Sequence, residues 1–290
     1  MKPASFEYHR AYTPDEVVEV LTDLGEDAKI LAGGQSLAPM MNFRLARPSA
    51  LVDVNPVKGL DYIRREGDQL CVGALTRHRS VEMCRDSQLL DGFALLPRAV
   101  RWIGHFPIRS RGTVGGSIAH ADPTAEWCLL ARLYDAEVVL LGPDGRRHEA
   151  SADWFTGFLT TTGAYNEMVV ETRFSRPRPY GALTEYARRR GDFAIAAVGV
   201  AFDVADGRCQ DVSIVLGGVG SEPIRPADAE AATEGAPATD QTWREVARLA
   251  AAGVNPPADL NGDATYRRHL VATLTERAFA EALATGASAC

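Results

Sequence analysis

Two glycine-rich turns constrain this chain more than any other feature. One is Lys29-Ile-Leu-Ala-Gly-Gly-Gln-Ser-Leu37 and the other is Arg111-Gly-Thr-Val-Gly-Gly-Ser-Ile-Ala-His-Ala-Asp-Pro-Thr-Ala-Glu126. A Gly-Gly pair lets backbone N–H groups approach an anion, because no Cβ stands in the way. Each turn also carries hydroxyls beside its glycines, Ser36 in the first and Thr113 and Ser117 in the second. One such turn alone reads equally well as a tight strand-to-helix connection. Two together point to a pair of loops gripping one diphosphate-bearing cofactor.

The remaining composition narrows the field. A chain of 290 residues, 46% hydrophobic and 24% charged, has the make-up of a globular protein of two or three domains. Its formal charge of −7 argues against a nucleic-acid partner, for which a basic face is expected. No apolar run reaches the roughly 18 residues of a membrane span, and residues 1–8 lack the apolar core of a signal peptide, so a cytoplasmic protein is expected. The cysteines, Cys71, Cys84, Cys128, Cys209 and Cys290, are widely spaced and include no C-x-x-C pair. Neither an iron–sulfur cluster nor a structural zinc is therefore expected in this chain, and the thiols read as reduced. His78, His105, His120 and His148 are scattered, and no metal site is expected. There is no G-x-G-x-x-G, no G-x-x-x-x-G-K-[ST] and no G-x-S-x-G, which removes the commonest dinucleotide, nucleotide and hydrolase folds.

Periodicity and turn signals predict an α+β chain. Thr13-Pro-Asp-Glu16 reads as a capping box opening a helix that Gly25 ends. Strands are expected over 28–32, 50–54, 69–75, 136–141, 146–150 and 168–174, with Gly142-Pro-Asp-Gly145 as a hairpin turn. A largely helical stretch is expected over 81–105, with the second glycine turn following in a loop. Ser36 is placed to cap a helix containing Pro39. Asp122 is placed to cap a helix over 123–134, with Pro123 at its first position. Arg176-Pro-Arg-Pro-Tyr-Gly181 marks a domain boundary. Beyond it, strands over 183–190, 194–204 and 209–217, with an Asp206-Gly207 turn, precede helices near 227–233, 240–252 and 263–284. The Ala/Glu/Thr-rich segment 229–240 reads as a mobile surface stretch.

Two clusters outside the glycine turns admit both a plain and a functional reading. His120, Asp122 and Glu126 either cap and solvate a helix or bond a ribose or ribityl hydroxyl. Arg188 and Arg190 read as a solvated face, whereas Gly191-Asp-Phe193 breaks a strand where an aromatic ring can be aimed at a ligand. Phe193 as simple core is equally consistent with composition.

Taken together, Ala32-Gly-Gly-Gln-Ser36, Thr113-Val-Gly-Gly-Ser117 with Ala119-His-Ala-Asp-Pro123, and Tyr186-Ala-Arg-Arg-Arg-Gly-Asp-Phe193 resemble the FAD-binding medium subunits of the molybdenum hydroxylases. That family includes the carbon monoxide dehydrogenase medium chain, quinoline- and nicotine-type hydroxylases and the flavin domain of xanthine dehydrogenase, and the resemblance spans nearly the whole chain. It implies an FAD-binding domain of two subdomains in the vanillyl-alcohol-oxidase-like (PCMH-type) manner, 1–57 and 58–176, followed by a C-terminal α+β flavoprotein domain over 177–290.

The same resemblance assigns candidate residues. Ile30, Leu31, Ala32, Gly33, Gly34, Gln35, Ser36 and Leu37 would wrap the FAD diphosphate, and Gly112, Thr113, Gly115, Gly116 and Ser117 would grip it from the other side. Ile103 would lie as an apolar residue against the cofactor, and Val169 or Val170 would touch it from a strand. Asp122 and Glu126 would lie by the ribityl chain or nearby polar atoms and Phe193 by the isoalloxazine ring, with His120 and Asp192 as further cofactor-binding candidates. No catalytic acid or base is implied, because an electron relay needs none. Ser117 stands where many relatives have Asn, and Glu185 where some have Lys. Gln35 matches the broader hydroxylase group, whereas carbon monoxide dehydrogenases often have His there.

The resemblance further implies an oxidoreductase subunit that takes electrons from [2Fe–2S] clusters and passes them to quinone, NAD or oxygen. Its partners would be a large molybdenum-cofactor subunit and a small [2Fe–2S] subunit, in a heterohexamer built as a dimer of heterotrimers. The complex would act on carbon monoxide or an N-heteroaromatic compound, with peripheral membrane attachment only through the complex. The alternatives are a self-contained FAD-dependent oxidase or reductase of the same fold, which would need its own substrate pocket, and a cofactor-free scaffold.

Overall fold

The computed structural model describes residues 2–286. Its first unit is a three-stranded parallel sheet in which Ala50–Asp53 lies between Glu7–Arg10 and Ala28–Leu31. The central strand is buried along its length, as a parallel strand covered on both faces should be. Helix Pro14–Leu24 opens with the expected capping box between Thr13 and Glu16 and ends at Gly25. Its Val17 and Leu21 meet Val52 of this sheet and Val139, Met168 and Val170 of the next, so one helix is shared by two sheets.

The second sheet is antiparallel, with the order Ile63–Glu66, Gln69–Gly73, Met168–Phe174, Glu137–Gly142 and Gly145–Ala150. Its last two strands are joined at the predicted turn, where Gly145 has φ +97°. The third sheet is a meander of Tyr180–Tyr186, Ala196–Ala205 and Arg208–Gly217. Asp206 and Gly207 both have positive φ, 50° and 71°, as a tight two-residue hairpin demands. Val198, Val200, Phe202, Ile214 and Leu216 face helices Asp240–Ala252 and Ala264–Gly286. Ala197, Ala201 and Val215 face the other way, toward helix Glu126–Leu133. A sheet buried on both faces shows no polar alternation, which is why the sequence over 194–204 reads as one apolar run.

The structure corrects several expectations. Residues 81–105 are not one helix: His78–Met83, Leu95–Ala99 and a 3-10 turn at Val100–Trp102 are separate pieces. The second glycine pair is not in a loop but in the first turn of helix Val114–His120, because the Thr113 hydroxyl accepts from the Gly116 N–H at 3.2 Å and starts the helix there. Asp122 caps no helix. It accepts from the Thr124 N–H and hydroxyl at 2.8 and 2.7 Å, and the helix begins only at Glu126, after Ala125. Ser36 sits at the first cap position of Leu37–Asn42 without a side-chain capping bond. The strand expected to 190 ends at Tyr186. Segment 229–240 is not a free surface stretch: Ala229 and Thr233 of helix Ala227–Thr233 are buried, and the Cys209 N–H donates to the Ala236 carbonyl. Cys71, Cys128 and Cys209 are buried free thiols and Cys84 is half-buried, while Cys290 lies outside the described residues. Among the described residues no helix is long and apolar enough to cross a membrane.

The linker 176–181 is fastened by Arg178, only 2% exposed. Its guanidinium donates to the Asp211 carbonyl at 2.6 Å, the Asp211 carboxylate at 3.1 Å and the Leu133 carbonyl at 3.1 Å. One arginine thus joins the linker to the third sheet and to helix Glu126–Leu133. Arg178→Met is expected to lower stability by about 2–3 kcal/mol, the cost of leaving these buried acceptors unpaired, measured by denaturant unfolding.

Candidate functional site: two glycine turns and their supports

The two glycine turns meet directly. A Cβ on Gly33 would lie 2.5 Å from the Arg111 carbonyl oxygen and 2.7 Å from the Gly112 Cα. Gly33 is therefore required by contact, whereas Gly34, at φ +70°, is required by backbone conformation. The second turn is equally tight behind: a Cβ on Gly115 would lie 2.5 Å from that of Ala74, and one on Gly112 would lie 2.5 Å from His78 Nε2.

Their hydrogen bonding differs in a way sequence does not disclose. Among the described residues, the backbone N–H groups of residues 33–37 have no protein acceptor. In the second turn the N–H groups are largely consumed. Gly112 donates to Ile108, Val114 to Thr76, Gly115 to Ala74, Gly116 to the Thr113 hydroxyl and Ser117 to the Thr113 carbonyl. The first turn is thus a set of open donors, and the second is a braced wall pressed against it. Successive free N–H groups in a half-buried turn fit a phosphate or diphosphate, which supplies the missing acceptors. Gln35 does not point into this set, since its amide donates to its own turn at the Gly33 carbonyl, 2.9 Å away.

Residues without a motif hold the turns in place. Asn55 donates to the Ala32 carbonyl at 2.9 Å, and its own carbonyl accepts from Arg77 at 2.7 Å. Arg77 also donates to the Arg111 carbonyl. Asp53 accepts from the Asn55 amide and from the Tyr8 hydroxyl. His78 is buried and accepts from the Trp127 indole at 3.0 Å, and burial pushes its pKa down to about 3, so the ring is neutral. None of these is recognisable from the sequence, because single polar residues at strand ends and helix starts carry no spacing signature.

The other candidates lie along a rim between the second and third sheets. Arg109 pins the Ile103 and Gly104 carbonyls at 2.9 and 3.0 Å while pairing with Glu82 at 2.9 Å. Gly191, at φ +89°, packs on this rim, since a Cβ there would lie 2.5 Å from the His105 ring. The loop therefore brings Asp192 and Phe193 to the Ile103 side. Asp192 bonds within its own loop to Arg189, and Phe193 is 74% exposed, so it is not core. Val169, by contrast, is buried in the core. His120 is half-buried, with burial lowering its pKa against the opposing pull of Asp122.

Glu126 and Glu185 form an unforeseen pair. Glu185 is cross-strand from Ala197, on the face turned to helix Glu126–Leu133. One carboxyl oxygen of Glu185 is buried without a partner. Burial, and then the charge of Glu126, raise the Glu185 pKa well above the carboxylate range. Burial, assisted by Asp122 and opposed by Arg109, pushes Glu126 up to about 7. Two carboxyls whose ionisation burial opposes thus border the rim.

Comparison with known proteins shows the family to which the chain belongs. Residues 4–176 match the family described as the FAD binding domain in molybdopterin dehydrogenase, and residues 181–282 match the CO dehydrogenase flavoprotein C-terminal domain. The chain belongs to this family of FAD-binding flavoproteins and is an oxidoreductase subunit. It is 37% identical, over 98% of its length and 96% of the relative's, to the 6-hydroxypseudooxynicotine dehydrogenase complex subunit alpha of Paenarthrobacter nicotinovorans. It is 34% identical to the carbon monoxide dehydrogenase medium chain of Hydrogenophaga pseudoflava, covering 96% of this chain and 97% of that one. Among solved structures it superposes on quinoline 2-oxidoreductase from Pseudomonas putida 86 with a TM-score of 0.92 at 33% identity, covering 97% of this chain and 98% of the other.

Proposed function

We propose that this chain is the electron-exit subunit of a three-component molybdenum hydroxylase, with the FAD diphosphate lying on the open N–H groups of residues 33–37. When bound, FAD supplies the redox chemistry, with electrons entering from [2Fe–2S] clusters of a small subunit and leaving to quinone, NAD or oxygen. The observation that carries the reading is the asymmetry of the glycine turns. Residues 33–37 offer unpartnered donors, and residues 111–117 close against them through the Gly33–Arg111 contact. In this reading the chain divides into subdomains 1–57 and 58–176 and a C-terminal domain over 177–290, and the flavin lies between the first two. Phe193, exposed on its Gly191 loop, covers the ring system, and Ile103 meets it from the same rim.

In this reading a large partner subunit carries the molybdenum cofactor and selects the substrate, and the assembly is a cytoplasmic dimer of heterotrimers. The substrate is an N-heteroaromatic compound in preference to carbon monoxide. Gln35, rather than the His often found there in carbon monoxide dehydrogenases, favours that choice. So does the identity of 37% to the relative whose name specifies 6-hydroxypseudooxynicotine, against 34% to the carbon monoxide dehydrogenase medium chain.

The test is an anaerobic spectrum of the full chain loaded with FAD. The bound flavin is expected to be bleached by dithionite and left unchanged by N-heteroaromatic substrates, since the chain has no substrate centre of its own. Bleaching by such a substrate in the absence of partners would establish a self-contained oxidase and overturn the proposal.

A further inference from the structure

Arg77 occupies a position from which both turns are held together. Its backbone lies against the second turn: the His78 N–H donates to the Gly112 carbonyl at 3.1 Å, and the Val114 N–H donates to the Thr76 carbonyl at 3.0 Å. Its guanidinium reaches the Arg111 carbonyl and, through Asn55, the Ala32 carbonyl at the mouth of the first turn. Removing it would free the contact face of Gly33 on one side and the Asn55 amide on the other.

The charge of Arg77 is uncompensated. The side chain is half-buried, its hydrogen bonds go to neutral acceptors, and among the described residues no carboxylate lies within ion-pairing distance of it. The acids that act on it, Asp53 and Asp61, do so only at longer range, and Arg111 opposes them. Asp53 is itself occupied by Asn55 and Tyr8. A guanidinium has five N–H donors, and only two protein acceptors engage it here. A desolvated cation beside open backbone N–H groups is the arrangement an anionic group completes.

We infer that Arg77 is a positioning residue for the cofactor diphosphate, setting the spacing of the two glycine turns and supplying a positive charge from outside both of them. This rests on the proposal that the diphosphate lies on residues 33–37. It makes a residue outside both glycine motifs responsible for discriminating diphosphate-bearing flavin from flavin without it.

The test is equilibrium binding of FAD, ADP and riboflavin to the full chain and to R77M and R77K, across a range of salt, with thermal melts of each apo protein. R77M is expected to weaken FAD and ADP binding by roughly 10- to 150-fold, the worth of a charge-assisted hydrogen bond. Riboflavin affinity should change little, and the salt dependence of ADP binding should flatten. R77K is expected to keep the salt dependence while losing part of the affinity, because ammonium keeps the charge and not the fork. That variant carries the test if R77M fails to fold. Equal weakening of all three ligands, or unchanged ADP binding in a folded R77M or R77K, would overturn the inference and leave the proposed function standing. A wild-type chain that binds no FAD would overturn both.

Discussion

Gly33→Val is expected to abolish flavin retention while the C-terminal domain stays folded. The new Cβ would meet the Arg111 carbonyl at 2.5 Å and the Gly112 Cα at 2.7 Å, against the 3.4 Å or more of an ordinary contact. Both obstacles are backbone, so no rotamer change relieves them, and the turns must separate by about an ångström. A displacement of that size costs roughly 100-fold where groups must converge on one ligand. Gly116→Val is the informative contrast. There the Cβ would press on the Thr113 hydroxyl at 2.7 Å, a side-chain tip, with Ala32 the next neighbour at 3.9 Å. Losing that cap weakens the start of helix Val114–His120 by about 1 kcal/mol, so Gly116→Val should reduce FAD affinity only several-fold. Flavin content after gel filtration, with circular dichroism as the control for folding, separates the two. Full flavin content in Gly33→Val would show that the turns need not touch for the cofactor to bind.

The apo protein is expected to lose stability as the pH rises from 5 to 9, and Glu185→Gln should remove much of that loss. An exposed carboxyl in the unfolded chain titrates near 4.3. In the folded chain Glu126 holds its proton up to about 7, and Glu185 well above the usual range. A group whose folded pKa is raised stabilises the fold fully below the unfolded value, and that contribution fades as pH climbs through the folded one. For Glu126 the loss runs from about pH 4.3 to about 7 and amounts to at most roughly 4 kcal/mol. Beyond it, ionising Glu185 beside an already charged Glu126 costs more. Glutamine at 185 cannot ionise, so the variant should melt higher than wild type at pH 8–9 and show no such advantage at pH 5. A wild-type melting temperature that stays flat from pH 5 to 9 would contradict the assignment.

Much of this architecture is legible in the sequence where a single local rule decides the conformation. The Thr13–Glu16 capping box, the Gly142–Gly145 and Asp206-Gly207 turns and the long C-terminal helices obey such rules and stand as expected. Local rules fail where the tertiary setting decides. Glu7–Arg10 and Ile63–Glu66 are polar edge strands without an apolar signal, formed because a neighbouring strand offers its backbone. The stretch 81–105 is apolar enough for one helix, yet it is broken so that short pieces can wrap the core around Phe93 and Leu96. For the site, glycine spacing points to the right turns, but not to which of them keeps its N–H groups free. That depends on Ala74, Thr76 and Thr113 serving as acceptors for the second turn. Asn55, Arg77 and His78 acquire their roles only from long-range partners, so no pattern within the chain announces them.

The most direct test of the electron-exit assignment is to purify the tagged chain from the organism that makes it and measure flavin, iron and molybdenum together. FAD, iron and molybdenum are expected to co-elute in fixed ratio with two further polypeptides. Yellow protein eluting alone, with full flavin and neither metal, would contradict it.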